Sequence, residues 1–232
     1  MSEQKFETKV LAEIIVVVAL SGVLYSLRPF SMPFGGSVTL GSMVPVMWLA
    51  LRRGVKIGVF AGVVFGLLAL PIDVLMLPYS PIANPAQVFL DYPLAFATLG
   101  LVGFFKGKKG HPQDLAEVGV YALLSSLSFI GAIIHSIVWL VPAMVFFVLS
   151  VWGVIERKAW QSPLVGVAVV GFGKFLAHFV SGVIFWSAYA PPELGPYLYS
   201  AIYNGSFLIP EFVISAFLVY LLVQRGTVEI TV

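Results

Sequence analysis

The chain contains no cysteine, which excludes disulfides and thiolate metal sites. Charge is nearly as scarce. Asp, Glu, Lys and Arg make up 10% of its 232 residues, against about a quarter in a soluble domain. The net charge of +2 is too small to suggest a nucleic-acid partner. No cleavable signal peptide is evident, because the first apolar run, Val10 to Leu27, lacks a small-residue cleavage site and reads as a retained helix.

Hydrophobic residues are abundant, at 59% of the chain. A soluble fold of this size has no interior large enough for that much apolar surface, so the surrounding solvent must be lipid. Several apolar runs approach or exceed the roughly 20 residues that carry a helix across a bilayer core of about 30 Å. The runs are continuous, which favours helices over a barrel. Eight membrane segments are expected, roughly 9–27, 37–52, 55–71, 84–105, 115–133, 136–155, 163–186 and 205–223. The second is short and reads as partly re-entrant. The fifth and sixth come from one uncharged stretch, Val118 to Ile155, turned near Gly131–Ser136. Pro71 to Pro85 and Ala190 to Pro196 read as ordered loops. With the N terminus inside, eight spans place Lys5, Lys9, Arg52, Arg53, Lys56, Lys106, Lys108, Lys109, Arg157, Lys158 and Arg225 on the cytoplasmic side, and only Arg28 outside. Both termini are then cytoplasmic.

In lipid, an ionisable residue within a span is a candidate site by default. Asp91 falls about 10 Å into the fourth span and His178 about 12 Å into the seventh, at 1.5 Å per residue. Trp186 ends the seventh span, and Tyr199 and Asn204 lead into the eighth. Topology thus brings a carboxylate, an imidazole, a carboxamide and several rings to one level, as a small-molecule site requires. An ionised Asp91 favours a cation, and the rings of Tyr92, Trp186, Tyr189, Tyr199 and Tyr203 offer stacking and cation–π faces. Each residue also has a structural alternative. Tyr189, Tyr197 and Tyr203 are assigned to the interfacial aromatic belt, and Asn204, preceding a glycine, suits a helix cap. Lys174 sits near mid-span, one turn below His178, and is expected to pair with Glu211 or Asp91. Glu13, Glu117 and Glu211 divide between site and scaffold in no way the sequence decides.

The segment KFLAHFVSGVIFWSAYAPPELGPYLYSAIYNGSFLIPE, Lys174 to Glu211, resembles the signature stretch of the thiamine-specific substrate-binding subunits of energy-coupling factor transporters. Phe34 to Leu68 and Pro85 to Ala97 are similar to earlier helices of that family. The resemblance covers about 1–106 and 163–225. It implies a thiamine pocket on the outer side, with Asp91 facing the charged ligand beside Tyr92. His178 would contact the ligand, Trp186 and Tyr199 would form aromatic walls, and Asn204 would make a polar contact. It further implies a six-helix subunit in the cell membrane with no ATPase, cofactor or metal of its own. Its partners would be a membrane coupling subunit and two ATPase subunits.

Three departures stand out. A tryptophan in the outer loop after the first helix has no counterpart, with Phe30 or Phe34 in that region. A third-helix tryptophan is missing, the region reading LLALP around Leu70. Residues 107–162 form an insertion, read as a two-helix hairpin. Ala12, Ala19 and Gly22 are also offset from the small-residue pattern through which the family's first helix docks on its coupling subunit. The expected fold is therefore an all-α integral membrane protein. A six-helix bundle and an inserted transmembrane hairpin form one transmembrane domain over 1–232, with family-like core 1–106 and 163–232.

The expected function is a thiamine-binding subunit of an ATP-driven uptake transporter. Alternatives are a subunit for a thiamine precursor or another vitamin, and a stand-alone secondary transporter that uses Lys174 and Asp91 as a proton-coupled pair. Enzymes fare worse. Ser181–Gly182 lies near His178, but Phe179 stands where a GxSG motif needs its first glycine. GFGK at 171–174 lacks P-loop spacing and lies within a span.

Overall fold

The computed structural model describes residues 8–33, 35–105 and 163–227. The expected spans 115–133 and 136–155 lie outside the described residues. Six helical segments of ten or more residues occur among the described residues. They are α1 (Thr8–Ser26), α2 (Val44–Arg53), α3 (Val55–Met76), α4 (Pro85–Phe105), α5 (Pro163–Phe185) and α6 (Gly195–Gln224). All but α2 are long and apolar enough to cross a membrane. A two-stranded antiparallel hairpin, β1 (Phe30–Ser31) and β2 (Ser37–Val38), follows α1. The all-α membrane fold expected from the sequence is the fold observed.

Alternate helices run in opposite directions and give the bundle two unlike ends. One end carries Lys9, Arg52, Arg53, Lys56 and Arg225, and is called the basic end below. The other carries the hairpin, the 77–84 loop and the 186–194 turn, and is called the cavity end.

The centre of the bundle is held by glycine. Lipid tails are as apolar as Leu, so helix association in a membrane depends on close packing. On α3, Gly58, Gly62 and Gly66 recur every fourth residue and form one stripe. A Cβ at each would fall within 3 Å of Ala50 in the first case, Phe96 in the second and Tyr92 in the third. The reciprocal contact comes from Gly100 of α4, where a Cβ would strike the Val59 backbone at 2.0 Å. Helices α3 and α4 therefore pack backbone to backbone in antiparallel register. A T-shaped pair, Phe65 and Phe96, with ring centres 4.8 Å apart, closes the core above this seam.

Three expected boundaries move. The second span, read as 37–52, is helical only from Val44. Residues 37–43 are extended or turned, with Gly41 at φ 85° and Pro45 in the first helical turn. This backbone is tolerated because Thr39 and Ser42 are buried in protein and the Thr39 N–H donates to Glu211. The third span does not end at Pro71. Helix α3 continues through it to Met76, since neighbouring helices can satisfy the carbonyl a proline frees. The loop is therefore 77–84 and not 71–85. The last span begins at Gly195 and not at 205, so Tyr199 and Asn204 are helical residues.

Helix α4 starts sharply. The Asn84 side chain accepts from the Ala86 N–H at 2.8 Å, and Pro85 occupies the first turn, where it loses no hydrogen bond. Leu90–Leu94 then widens into a π turn around Pro93. Such turns gather at functional sites, and this one carries Asp91 and Tyr92.

Candidate functional site

Four-residue spacing builds the cavity wall. Residues at i and i+4 share a helix face. Lys174, His178, Gly182 and Trp186 form one such row from α5 into the turn beyond it. Helix α6 contributes two adjacent rows, Tyr199–Tyr203–Phe207–Glu211 and Ser200–Asn204–Leu208. Helix α4 adds Gln87, Asp91, Tyr92 and Phe96, and α3 adds Asp73. Gly35, Gly36 and Ser37 of the hairpin lie over these rows. The cavity is open at its mouth and, with the solvent there, spans about 850 Å³.

All six residues singled out from the sequence, Asp91, Tyr92, His178, Trp186, Tyr199 and Asn204, line this one cavity. Asp91 is the most elaborately held. Its Oδ1 lies 2.9 Å from His178 Nδ1, and its Oδ2 accepts from Gln87 Nε2 at 2.6 Å and from Ser181 Oγ at 2.8 Å. Ser181 and His178 both bond the carboxylate, so serine is not aligned on the imidazole as a nucleophile–base pair requires. The Tyr92 hydroxyl donates to Asp73 Oδ2 at 2.8 Å, and Tyr92 lines the cavity beside it.

Asn204 does not cap a helix. Its amide donates to Ser200 O at 2.9 Å and to His178 O at 3.3 Å, and Ser200 Oγ donates to Phe179 O at 2.8 Å. These bonds clasp α6 to α5 where Gly182 brings the helices together. A Cβ at Gly182 would lie 2.2 Å from Ser200 Oγ. Trp186 stacks obliquely with Tyr189, centres 5.8 Å apart, and Tyr199 with Tyr203 at 5.7 Å. Tyr189 and Tyr203, assigned above to the belt, therefore belong to the cavity wall. Tyr197, 69% exposed, does not.

Lys174 forms a close ion pair with neither expected partner, although Glu211 is near enough to interact with its charge. Among the described residues no carboxylate oxygen lies within 4.0 Å of its ammonium. It reaches Met43 Sδ at 3.4 Å and sits 3.9 Å above the Phe96 ring. Glu211 is held instead by the Thr39 N–H and by Thr39 Oγ1 at 2.5 Å. With Asp91 on His178, the Lys174–Asp91 pair that motivated a proton-coupled transporter is absent. Glu13 pairs with Arg53 at the basic end, Oε1 to Nη2 at 2.5 Å.

Sequence reading missed Asp73. It is buried in α3, 2.6 Å from Arg28 Nη2, and accepts from Tyr25 and Tyr92 hydroxyls at 3.0 and 2.8 Å. Asp91 is thus not the only in-span acid at this level, since Asp73 and Glu211 also line the cavity. The signal for Asp73 was an aspartate two residues beyond Pro71 in an otherwise apolar run. For Gln87 it was the i, i+4 spacing to Asp91. No group of three or more His, Asp or Glu side chains suited to a metal occurs among the described residues.

A helical bundle with five helices fit to cross a membrane and a polar and aromatic cavity at one end defines an integral membrane protein with a small-molecule-sized site. The family follows from comparison. Residues 11–230 match the family described as thiamine transporter protein (Thia_YuaJ), and the chain belongs to it. The thiamine transporter ThiT of Bacillus subtilis (strain 168) is 27% identical over 216 residues, 91% of this chain and 88% of that protein. ThiT of Lacticaseibacillus paracasei is 29% identical over 165 residues, 70% of this chain and 61% of that one. A solved structure of ThiT from Listeria monocytogenes shares the fold. Its TM-score is 0.62 at 22% identity, over 96% of this chain and 98% of that chain. Membership places the chain among transport proteins and not among enzymes.

Proposed function

We propose that the chain binds thiamine in this cavity, as the substrate-binding subunit of an ATP-driven vitamin uptake transporter. The observation that carries the reading is the Asp91 carboxylate, fixed by Gln87, His178 and Ser181 within an aromatic-walled cavity. Thiamine carries a permanent positive charge on its thiazolium ring. A low-dielectric pocket must answer that charge or leave its desolvation unmet. Asp91 supplies the negative charge, Trp186 and Tyr199 supply ring faces, and Tyr92, His178 and Asn204 complete the wall. Family membership supports the ligand.

In this reading the cavity end faces outward and both termini are cytoplasmic, as the basic residues favour. The subunit sits in the cell membrane as one domain. It works with an energy-coupling factor membrane subunit and two ATPase subunits. Titration of the purified chain with thiamine, followed by tryptophan fluorescence and calorimetry, tests the ligand. Saturable binding with a quench lost in Trp186→Phe is expected, and no heat of binding would refute it. Uptake into vesicles tests the coupling. Transport should require the coupling and ATPase subunits with ATP, and uptake by the chain alone under a proton gradient would overturn the coupled mechanism.

A further inference from the structure

Gln87 is 1% exposed, and its side-chain amide is bonded at both ends. Its Oε1 accepts from the Ala83 N–H at 3.0 Å, and its Nε2 donates to Asp91 Oδ2 at 2.6 Å. A backbone N–H only donates, so the amide oxygen must face Ala83 and the NH2 group must face Asp91. An NH2 group also only donates, so Asp91 Oδ2 must accept. A carboxylate meets that demand, whereas a proton on Oδ2 would oppose it.

We infer that Gln87 is a positioning residue that holds Asp91 as an oriented, ionised carboxylate and ties it to the loop at the cavity mouth. The tie runs through Ala83, two residues from Pro81, which lines the cavity. The consequence reaches His178. Oδ1 of the ionised carboxylate accepts at its 2.9 Å contact with His178 Nδ1, so Nδ1 carries the hydrogen there. The cavity is thereby set for a ligand bringing positive charge. This deepens the proposed function and rests on its cationic ligand.

The test uses the purified full chain, thiamine, and an analogue in which a neutral ring replaces the thiazolium. Gln87→Met keeps length but removes the donor. It should weaken thiamine binding at least about fivefold, and less than about twofold when Asp91→Asn is already present, because the two changes act on one interaction. The neutral analogue should bind Gln87→Met nearly as it binds the parent. Equal losses in both backgrounds, or for both ligands, would reduce Gln87 to a loop tether. Gln87→Glu separates the two halves of the role even if Gln87→Met does not fold. It can still accept from Ala83 but, ionised, cannot donate to Asp91. The ratio of thiamine to neutral-analogue affinity should shift at least about threefold, and an unchanged ratio overturns the inference. A parent chain that binds no thiamine would refute the ligand assignment instead, so the two failures are distinguishable.

Discussion

Replacing Asp73 by Asn should destabilise the bundle more than most single substitutions. Asp73 and Arg28 are each 4% exposed at the side chain and 2.6 Å apart. Asn keeps an oxygen to accept from the Tyr25 and Tyr92 hydroxyls, so those hydrogen bonds survive in kind. What is lost is the charge opposite Arg28. Leaving one member of a buried pair uncompensated costs about 3–5 kcal/mol. At about 2–4 °C per kcal/mol for a chain of this size, the apparent melting temperature in detergent should fall by about 6–20 °C. Arg28→Gln combined with Asp73→Asn replaces the ion pair by two neutral amides and should recover most of the loss, since the penalty belongs to the unpaired charge. Thermal denaturation of the four proteins forms a double-mutant cycle. If Asp73→Asn melts within about 2 °C of the parent, or the double variant melts below the single, the Arg28–Asp73 pair does not organise this end of the bundle.

Trp186→Ala should weaken thiamine binding through lost ring contact. His178→Ala should cost less, because Gln87 and Ser181 still hold Asp91; calorimetry orders the two. The chain has no cysteine, so single cysteines report topology directly. A cysteine at Ile82 should label from outside intact cells, and one at Lys158 should not; the reverse pattern would invert the proposed orientation. Alanine at both His135 and Trp139, which lie outside the described residues, should leave thiamine affinity within about threefold, under 1 kcal/mol. A hundredfold loss would mean that the 107–162 segment lines the site.

The long apolar runs and the row through His178 and Trp186 were legible in the sequence because both follow from helical geometry alone. Asp91 was legible because an acid in lipid demands a reason. The rest depended on tertiary contacts. Pro71 looked like a terminator, yet α3 passes through it and carries Asp73 into the cavity. Only the finished bundle offers Arg28, Tyr25 and Tyr92 as partners for that acid. Lys174 invited a carboxylate partner, but its nearest contacts are Phe96 and Met43, and Glu211 acts on it only from beyond ion-pair distance. The non-helical start of the second span was equally hidden, since its stability rests on Glu211, 172 positions from Thr39.

Ligand recognition in this cavity turns on Asp91 meeting a cation. The most direct measurement is the affinity of the parent and of Asp91→Asn for thiamine and for its neutral-ring analogue. Asp91→Asn should weaken thiamine binding at least tenfold, about 1.4 kcal/mol, and leave the neutral analogue nearly unchanged. If Asp91→Asn binds thiamine as well as the parent, or loses both ligands equally, Asp91 serves the scaffold, and the charge-based account of the cavity is wrong.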